Sequence, residues 1–213
     1  MTSLQSRLRA ALIDCDTAQR ALLRHEAPFF HFFPQLRGRF RYPQDLAPAA
    51  VLVPIIERAD GATILLTYRA ADMPTHAGEI AFPGGGGKAG DDSLLHTALR
   101  EAREEIGLDP AFTTLVGYLD ARPMGSKFRV QPVVCTVAPE AGYTLCAREV
   151  ASVFELPLPI ALDASRYRRR TLDTGYGPMP DLLELRHGEH HIWGATAEIL
   201  LDLCVQCEGA AVI

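Results

Sequence analysis

No apolar stretch of this 213-residue chain is long enough to cross a bilayer. The longest, residues 46–56, is interrupted by Pro48 and Pro54. Residues 1–19 carry Arg7, Arg9, Asp14 and Asp16 and have no apolar run of the kind a secretory leader needs. Lysine is nearly missing: of 21 basic residues only Lys88 and Lys127 are lysine. An excess of positive charge is also missing, with a formal net charge of −5, so nucleic acid is a poor default partner. The five cysteines, Cys15, Cys135, Cys146, Cys204 and Cys207, are odd in number and scattered, which excludes a disulfide framework and suits reduced thiols. There is no internal repeat and no low-complexity tail. These absences predict a cytoplasmic protein with neither a membrane nor nucleic acid as partner.

What is present is an ordinary globular composition, 48% hydrophobic and 22% charged. The length suits one generous domain with an appendage. We read residues 1–46 as an N-terminal helix and extended segment packed on the body, and residues 47–213 as the main domain. Leu4, Leu8, Ala11, Leu12 and Cys15 recur at helical spacing, which predicts a helix over 3–25. Residues 26–46 are aromatic and proline-bearing. Strand signals over 50–57 and 63–68 flank Asp60-Gly61, a hairpin turn. A polar loop covers 70–79, a short strand 80–82, and a helix 93–106, capped by Asp92 or Ser93 and ended by Gly107. Further strands are predicted over 114–121, 129–137 and 149–156, with a basic hairpin over 166–186. A strand over 190–193 and a helix over 195–206 close the chain. Strands and helices mix without regular βαβ repeats, so the fold class is α+β, a mixed β-sheet sandwiched between helices.

The chemistry concentrates at the helix over 93–106. Glu101, Glu104 and Glu105 stand at i, i+3 and i+4 and share one face, with most core-facing residues expected on the other side. Three carboxylates near a helix C-terminus repel one another and oppose the macrodipole. A divalent cation would offset that repulsion, and all-oxygen ligands point to Mg²⁺ or Mn²⁺ rather than zinc. Arg100 and Glu104 are i, i+4 partners, so Arg100 is expected to hold that carboxylate. The glycines Gly84 to Gly87 let the backbone approach a metal or phosphate closely.

Gly86, Asp92, Arg100, Glu101, Ala102, Glu104, Glu105, Gly107 and Leu108 fit the spacing Gly-x5-Glu-x7-Arg-Glu-hydrophobic-x-Glu-Glu-x-Gly-hydrophobic, with Asp92 in place of Glu. With the preceding Phe82-Pro83-Gly84-Gly85, this resembles the signature of the Nudix hydrolase superfamily. The resemblance implies metal-dependent cleavage of a nucleoside diphosphate derivative. It implies Glu101 and Glu105 as principal metal ligands, Glu104 as a third, Arg100 as the residue orienting Glu104, and a carbonyl of Gly85 or Gly86 completing the set. Glu149 falls where some members place an extra carboxylate, a ligand or the base. Arg69, His76, Gly84 and Gly85 are the candidate substrate contacts.

Several segments further resemble the coenzyme A diphosphatase branch: Leu65 to Ala70, His76 to Gly85, Val130 to Val134, Glu149 to Leu158, and Ile192 to Ala197. Pro74 stands where that branch usually has arginine. The resemblance implies coenzyme A or its thioesters as substrate. Alternatives are ADP-ribose, a dinucleotide, or a module that senses a nucleotide without cleaving it. A homodimer is compatible with the sequence. Arg166, Arg168, Arg169 and Arg170 form a basic cluster, read as a solvated hairpin face or as a contact for a 3′-phosphate. Cys204 and Cys207 have zinc-like spacing without a second pair, and are read as thiols of a helix.

Overall fold

The computed structural model describes residues 3–12, 46–124, 127–174 and 177–208. In the first of these lies α1 (Ser3–Ala11). The extended segment expected over 26–46 falls almost wholly outside the described residues, as does the helix expected beyond residue 12. Leu8 of α1 is fully buried. Gln5 Nε2 donates to Thr136 Oγ1 at 2.8 Å, and Arg9 Nη2 donates to the Leu115 carbonyl at 2.7 Å.

The centre of the fold is β1 (Ala47–Arg58), a β-branched and aliphatic strand buried on both faces. One edge of β1 pairs in parallel with β7 (Phe128–Val137), from Ala47 opposite Phe128 to Ile56 opposite Val137. The other edge is shared. β2 (Gly61–Arg69) holds Ile55 to Arg58 through the Asp60-Gly61 turn. β4 (Gly84–Gly86) holds Ala49 to Val51, and the Leu52 amide donates to the Pro83 carbonyl at 2.8 Å. The sheet therefore forks along β1. Past the fork the edge of β2 that held β1 pairs with β3 (Ile80–Ala81), while its other edge pairs with β8 (Val150–Pro157) from Thr63 to Arg69. β5 (Thr113–Tyr118) and β6 (Arg122–Met124) pair with β7.

Alternate residues of the sheet serve two cores. Val53, Ile55, Ile64 and Leu66 pack with Leu8 of α1, with α3 (Leu158–Ala161), and with α4 (Gly194–Glu208). Leu52, Ile56, Leu65 and Val133 pack with Ala98, Ala102 and Ile106 of α2 (Leu94–Ile106). The sheet thus lies between helices, as the residue pattern predicts. The basic hairpin is part of a second sheet of three strands, β9 (Arg168–Thr174), β10 (Gly177–His187) and β11 (His190–Trp193). No described helix is long and apolar enough to cross a membrane.

Candidate active site

α2 begins at Ser93, whose side chain accepts from the His96 amide at 3.1 Å, and ends at Gly107, whose left-handed φ of 67° suits glycine. The helix is amphipathic, but the acids are not confined to its outer face. Glu101 and Glu105 are buried on the same side as Ala98 and Ala102. Glu104, about 60° away from Glu101 around the helix, is exposed. Three carboxylates on one open face is therefore corrected to two buried and one flanking. Among the described residues no three His, Cys, Asp or Glu side chains form a ready-made cage for a metal.

The repulsion expected between these acids is partly met by the protein. Arg100 Nη1 donates to Glu101 Oε1 at 2.6 Å and more weakly to Glu104 Oε2 at 3.3 Å. Its firmest hold is on Asp91: Nε and Nη2 each donate to a carboxylate oxygen at 2.9 Å. Arg100 Nη2 also donates to the Gly86 carbonyl at 3.0 Å, so that carbonyl serves the clamp. The expected pairing of Arg100 with Glu104 is therefore present but is the weakest of its contacts: Arg100 also fastens the glycine loop to the helix and steadies Glu101. Asp91, passed over in favour of its neighbour Asp92, is the acid that turns inward. It also accepts from Thr97 Oγ1 and the Lys88 amide, each at 2.9 Å, whereas the Asp92 side chain is 94% exposed. Lys88 is the other residue missed. Its Nζ lies 2.8 Å from Glu104 Oε2 and 4.0 Å from Glu101 Oε1. Its rarity in the sequence was the one available signal.

Glu105 is different. Its Oε2 accepts from the Gly84 amide at 3.0 Å. Burial pushes its carboxyl up to about 7, against the pull of that amide; the charge of Glu101 pushes the same way, Arg69 opposes it, and Glu149 adds to it. Four candidates from distant parts of the sequence, Arg69, Glu101, Glu105 and Glu149, thus share one electrostatic neighbourhood. Backbone bonds bring Arg69 and Glu149 there: the Ala70 amide donates to the Glu149 carbonyl at 2.9 Å where β2 meets β8. Arg69 Nε is buried and has no hydrogen-bond partner among the described residues. A buried carboxylate set short of positive charge, with only oxygen donors, fits a hard divalent cation.

Gly85 explains the close packing of loop on helix. A Cβ there would meet the Glu101 carboxylate at 2.7 to 2.9 Å. That carboxylate is the end of a flexible side chain and can move, so Gly85→Ala should fold normally but displace Glu101. We expect kcat to fall about tenfold to a hundredfold, because a misplaced group of this kind costs that much, with thermal stability close to wild type. Unaltered kcat would show that the position of Glu101 is immaterial.

His76 sits in the exposed loop before β3 with φ of 57°, its Nδ1 3.0 Å from Glu79. Three of the four clustered arginines are bound to acids, Arg166 to Asp163, Arg169 to Glu198 and Arg170 to Glu184, at 2.9 to 3.1 Å, and Arg168 donates to the Ser165 and Tyr167 carbonyls. A solvated face describes it better than a free phosphate contact. Cys204 and Cys207 are buried in the core of α4, which removes the zinc reading.

The loop, the acidic helix and the strand that follows define a class of protein that a family comparison also finds: the NUDIX domain model matches residues 46–157. The chain belongs to the Nudix family and is a hydrolase that acts on the phosphoanhydride bond of a diphosphate substrate. It is 41% identical over 159 residues to the uncharacterized Nudix hydrolase NudL of Citrobacter koseri, covering 74% of this chain and 81% of the relative. It is 40% identical to the NudL of Enterobacter sp. strain 638 with the same coverage. Among solved structures, an Ap4A hydrolase of C. elegans is similar over 55% of this chain and 84% of its own, with a TM-score of 0.45 and 21% identity.

Proposed function

We propose that this Nudix hydrolase cleaves the diphosphate of coenzyme A or its thioesters, giving 4′-phosphopantetheine or its acyl form and 3′,5′-ADP. One observation carries the choice of substrate. Two of the five segments that resemble the coenzyme A branch, 76–85 and 192–197, lie far apart in sequence yet pack together. Thr196 Oγ1, at the start of α4, donates to the Ile80 carbonyl of β3 at 2.9 Å. The contact is buried on the α4 side of the sheet, and β3 leads directly into the loop that carries Gly84 and Gly85, so the two resembling segments form one unit joined to the site through the chain.

Nudix hydrolases generally use divalent metals. On this reading Glu101 and Glu105 hold Mg²⁺ or Mn²⁺, with Glu104, Glu149 and the Gly85 carbonyl as further donors. Such an ion would supply Lewis-acid stabilisation of phosphoryl charge and lower the pKa of a water. The protein's own groups do the positioning. The Gly84 amide fixes one oxygen of Glu105, Arg100 fixes Glu101, and Arg69 at the end of β2 offers a buried N–H to a phosphate oxygen. His76 stands on the outer loop as a substrate contact.

Pro74, exposed on that loop, offers no charge to a phosphate-rich substrate. Two arginines of β9, Arg169 and Arg170, already have acidic partners, and Arg168 donates to the Ser165 and Tyr167 carbonyls. Coenzyme A should therefore be hydrolysed with a high KM, and Pro74→Arg should lower KM more than it changes kcat. The test is competition between coenzyme A, dephospho-coenzyme A and ADP-ribose with either metal, products read by mass. A higher kcat/KM for ADP-ribose would replace coenzyme A as the substrate and leave the hydrolase intact.

A further inference from the structure

Lys88 is the feature of the site that neither the acidic helix nor the substrate motifs account for. It is one of two lysines in the chain. Its backbone is anchored: the amide donates to Asp91 Oδ2, which Arg100 clamps to the helix. Its side chain is not, being 57% exposed, and it reaches across the loop to Glu104 at 2.8 Å and Glu101 at 4.0 Å. These are two of the acids assigned to the metal. The ammonium thus rests against oxygens that a divalent cation would claim, and it holds the Glu104 carboxyl below its ordinary value. An exposed ion pair of this kind is weak and easily exchanged.

We propose that Lys88 is an exchangeable counter-ion: it neutralises Glu104 and Glu101 in the metal-free protein, and moves to a non-bridging oxygen of the substrate diphosphate when the metal takes those carboxylates. This rests on the metal-dependent reading of the site. It assigns Lys88 two opposed effects, competition with the metal alone and cooperation with the metal-bound diphosphate. A fixed structural lysine would have neither, because removing it would weaken both or change nothing. A lysine suits the exchange better than an arginine, since it is a point charge on a flexible stem that does not commit to a bidentate partner. The step moves no bond and no proton; it exchanges ion pairs.

The test uses Mn²⁺ alone, then a diphosphate that cannot be hydrolysed. Calorimetric titration of Mn²⁺ into the substrate-free protein should show about fivefold tighter binding to Lys88→Met than to wild type, the size of a lost competing surface pair. At saturating Mn²⁺, α,β-methylene-ADP should bind Lys88→Met about tenfold more weakly, as for a lost charged hydrogen bond. Lys88→Arg keeps the charge but commits more firmly to a carboxylate, so it should bind Mn²⁺ no more tightly than wild type and lose less affinity for the analogue than Lys88→Met. Equal or weaker Mn²⁺ binding by Lys88→Met overturns the proposal, as does unchanged binding of the analogue. A wild-type protein that binds no Mn²⁺ overturns the metal reading, and the proposal with it. That outcome differs from failure of Lys88 alone, where wild type binds the ion and the variant matches it.

Discussion

Glu105→Gln is expected to lower kcat by about a hundredfold to a thousandfold at saturating metal, the scale of losing a central electrostatic group in a phosphoryl-transfer site. The isosteric amide keeps the hydrogen bond from the Gly84 amide, so the loop should stay in place. Stability should move the other way. The Glu105 carboxyl is raised to about 7 from 4.5, chiefly by burial. A carboxyl with a raised folded pKa charges at a cost. That cost is absent at acid pH, grows as pH climbs past the unfolded value, and is complete above about 7. The metal-free variant should therefore match wild type near pH 4 and exceed it above neutrality, by on the order of 3 kcal/mol at most. The same linkage makes wild-type metal binding release a proton below about pH 7. Thermal melts of both proteins against pH, with kcat measured in parallel, check the pair of effects. Near-normal turnover would remove Glu105 from the site.

Arg100→Met should carry a different signature, with activity and stability lost together. The guanidinium holds Asp91 through two bonds, Glu101 through one, and the Gly86 carbonyl through another. Removing it leaves Asp91 without its main cation and frees the loop that carries Gly84 and Gly85. A loss of about tenfold to a hundredfold in metal affinity and in kcat is expected, the usual cost of removing a group that orients ligands. Arg100→Lys should restore little, because an ammonium cannot make the two-pronged contact with Asp91. The pH dependence identifies the mechanism. The arginine holds the Asp91 carboxyl well below its ordinary value. That stabilisation is present above the unfolded aspartate pKa and is lost as pH falls through the depressed folded value. The stability gap between wild type and variant should therefore close in acid. A gap that persists there would mean that Arg100 acts through packing rather than through Asp91.

Much of the fold was legible along the chain because each element carries its own local signal. The Asp60-Gly61 turn, the caps of α2 and the strand from His190 to Trp193 stand where the residues place them. What the sequence could not show is pairing. Nothing local says that β1 divides one edge between β2 and β4, or that its other edge takes β7 in parallel, because such choices depend on the register of distant strands. The site divides the same way. The acids of α2 were legible from helical spacing, but their orientation was not. Spacing alone makes Glu101, Glu104 and Glu105 equivalent, and only the approach of the glycine strand buries two of them. The choice of Asp91 over Asp92 depends on which carboxylate the loop turns toward Arg100. Lys88 was invisible as a partner of Glu104 because the two stand sixteen positions apart, across loop and helix.

The fork in the sheet also sets the order in which the enzyme can assemble. β1 ends at Arg58 and its parallel partner β7 begins at Phe128, so the glycine loop, α2 and the end of β2 all lie within the chain that this pairing encloses. Parallel pairing across so long a connection is entropically expensive and forms late. A nascent chain can make the β1–β2 hairpin early, yet until β7 emerges one edge of β1, and the part of the α2 face that Val133 covers, remain exposed. Recovery of catalysis on refolding should therefore coincide with the slow closing of that edge, and the intermediate before it is the species most open to aggregation.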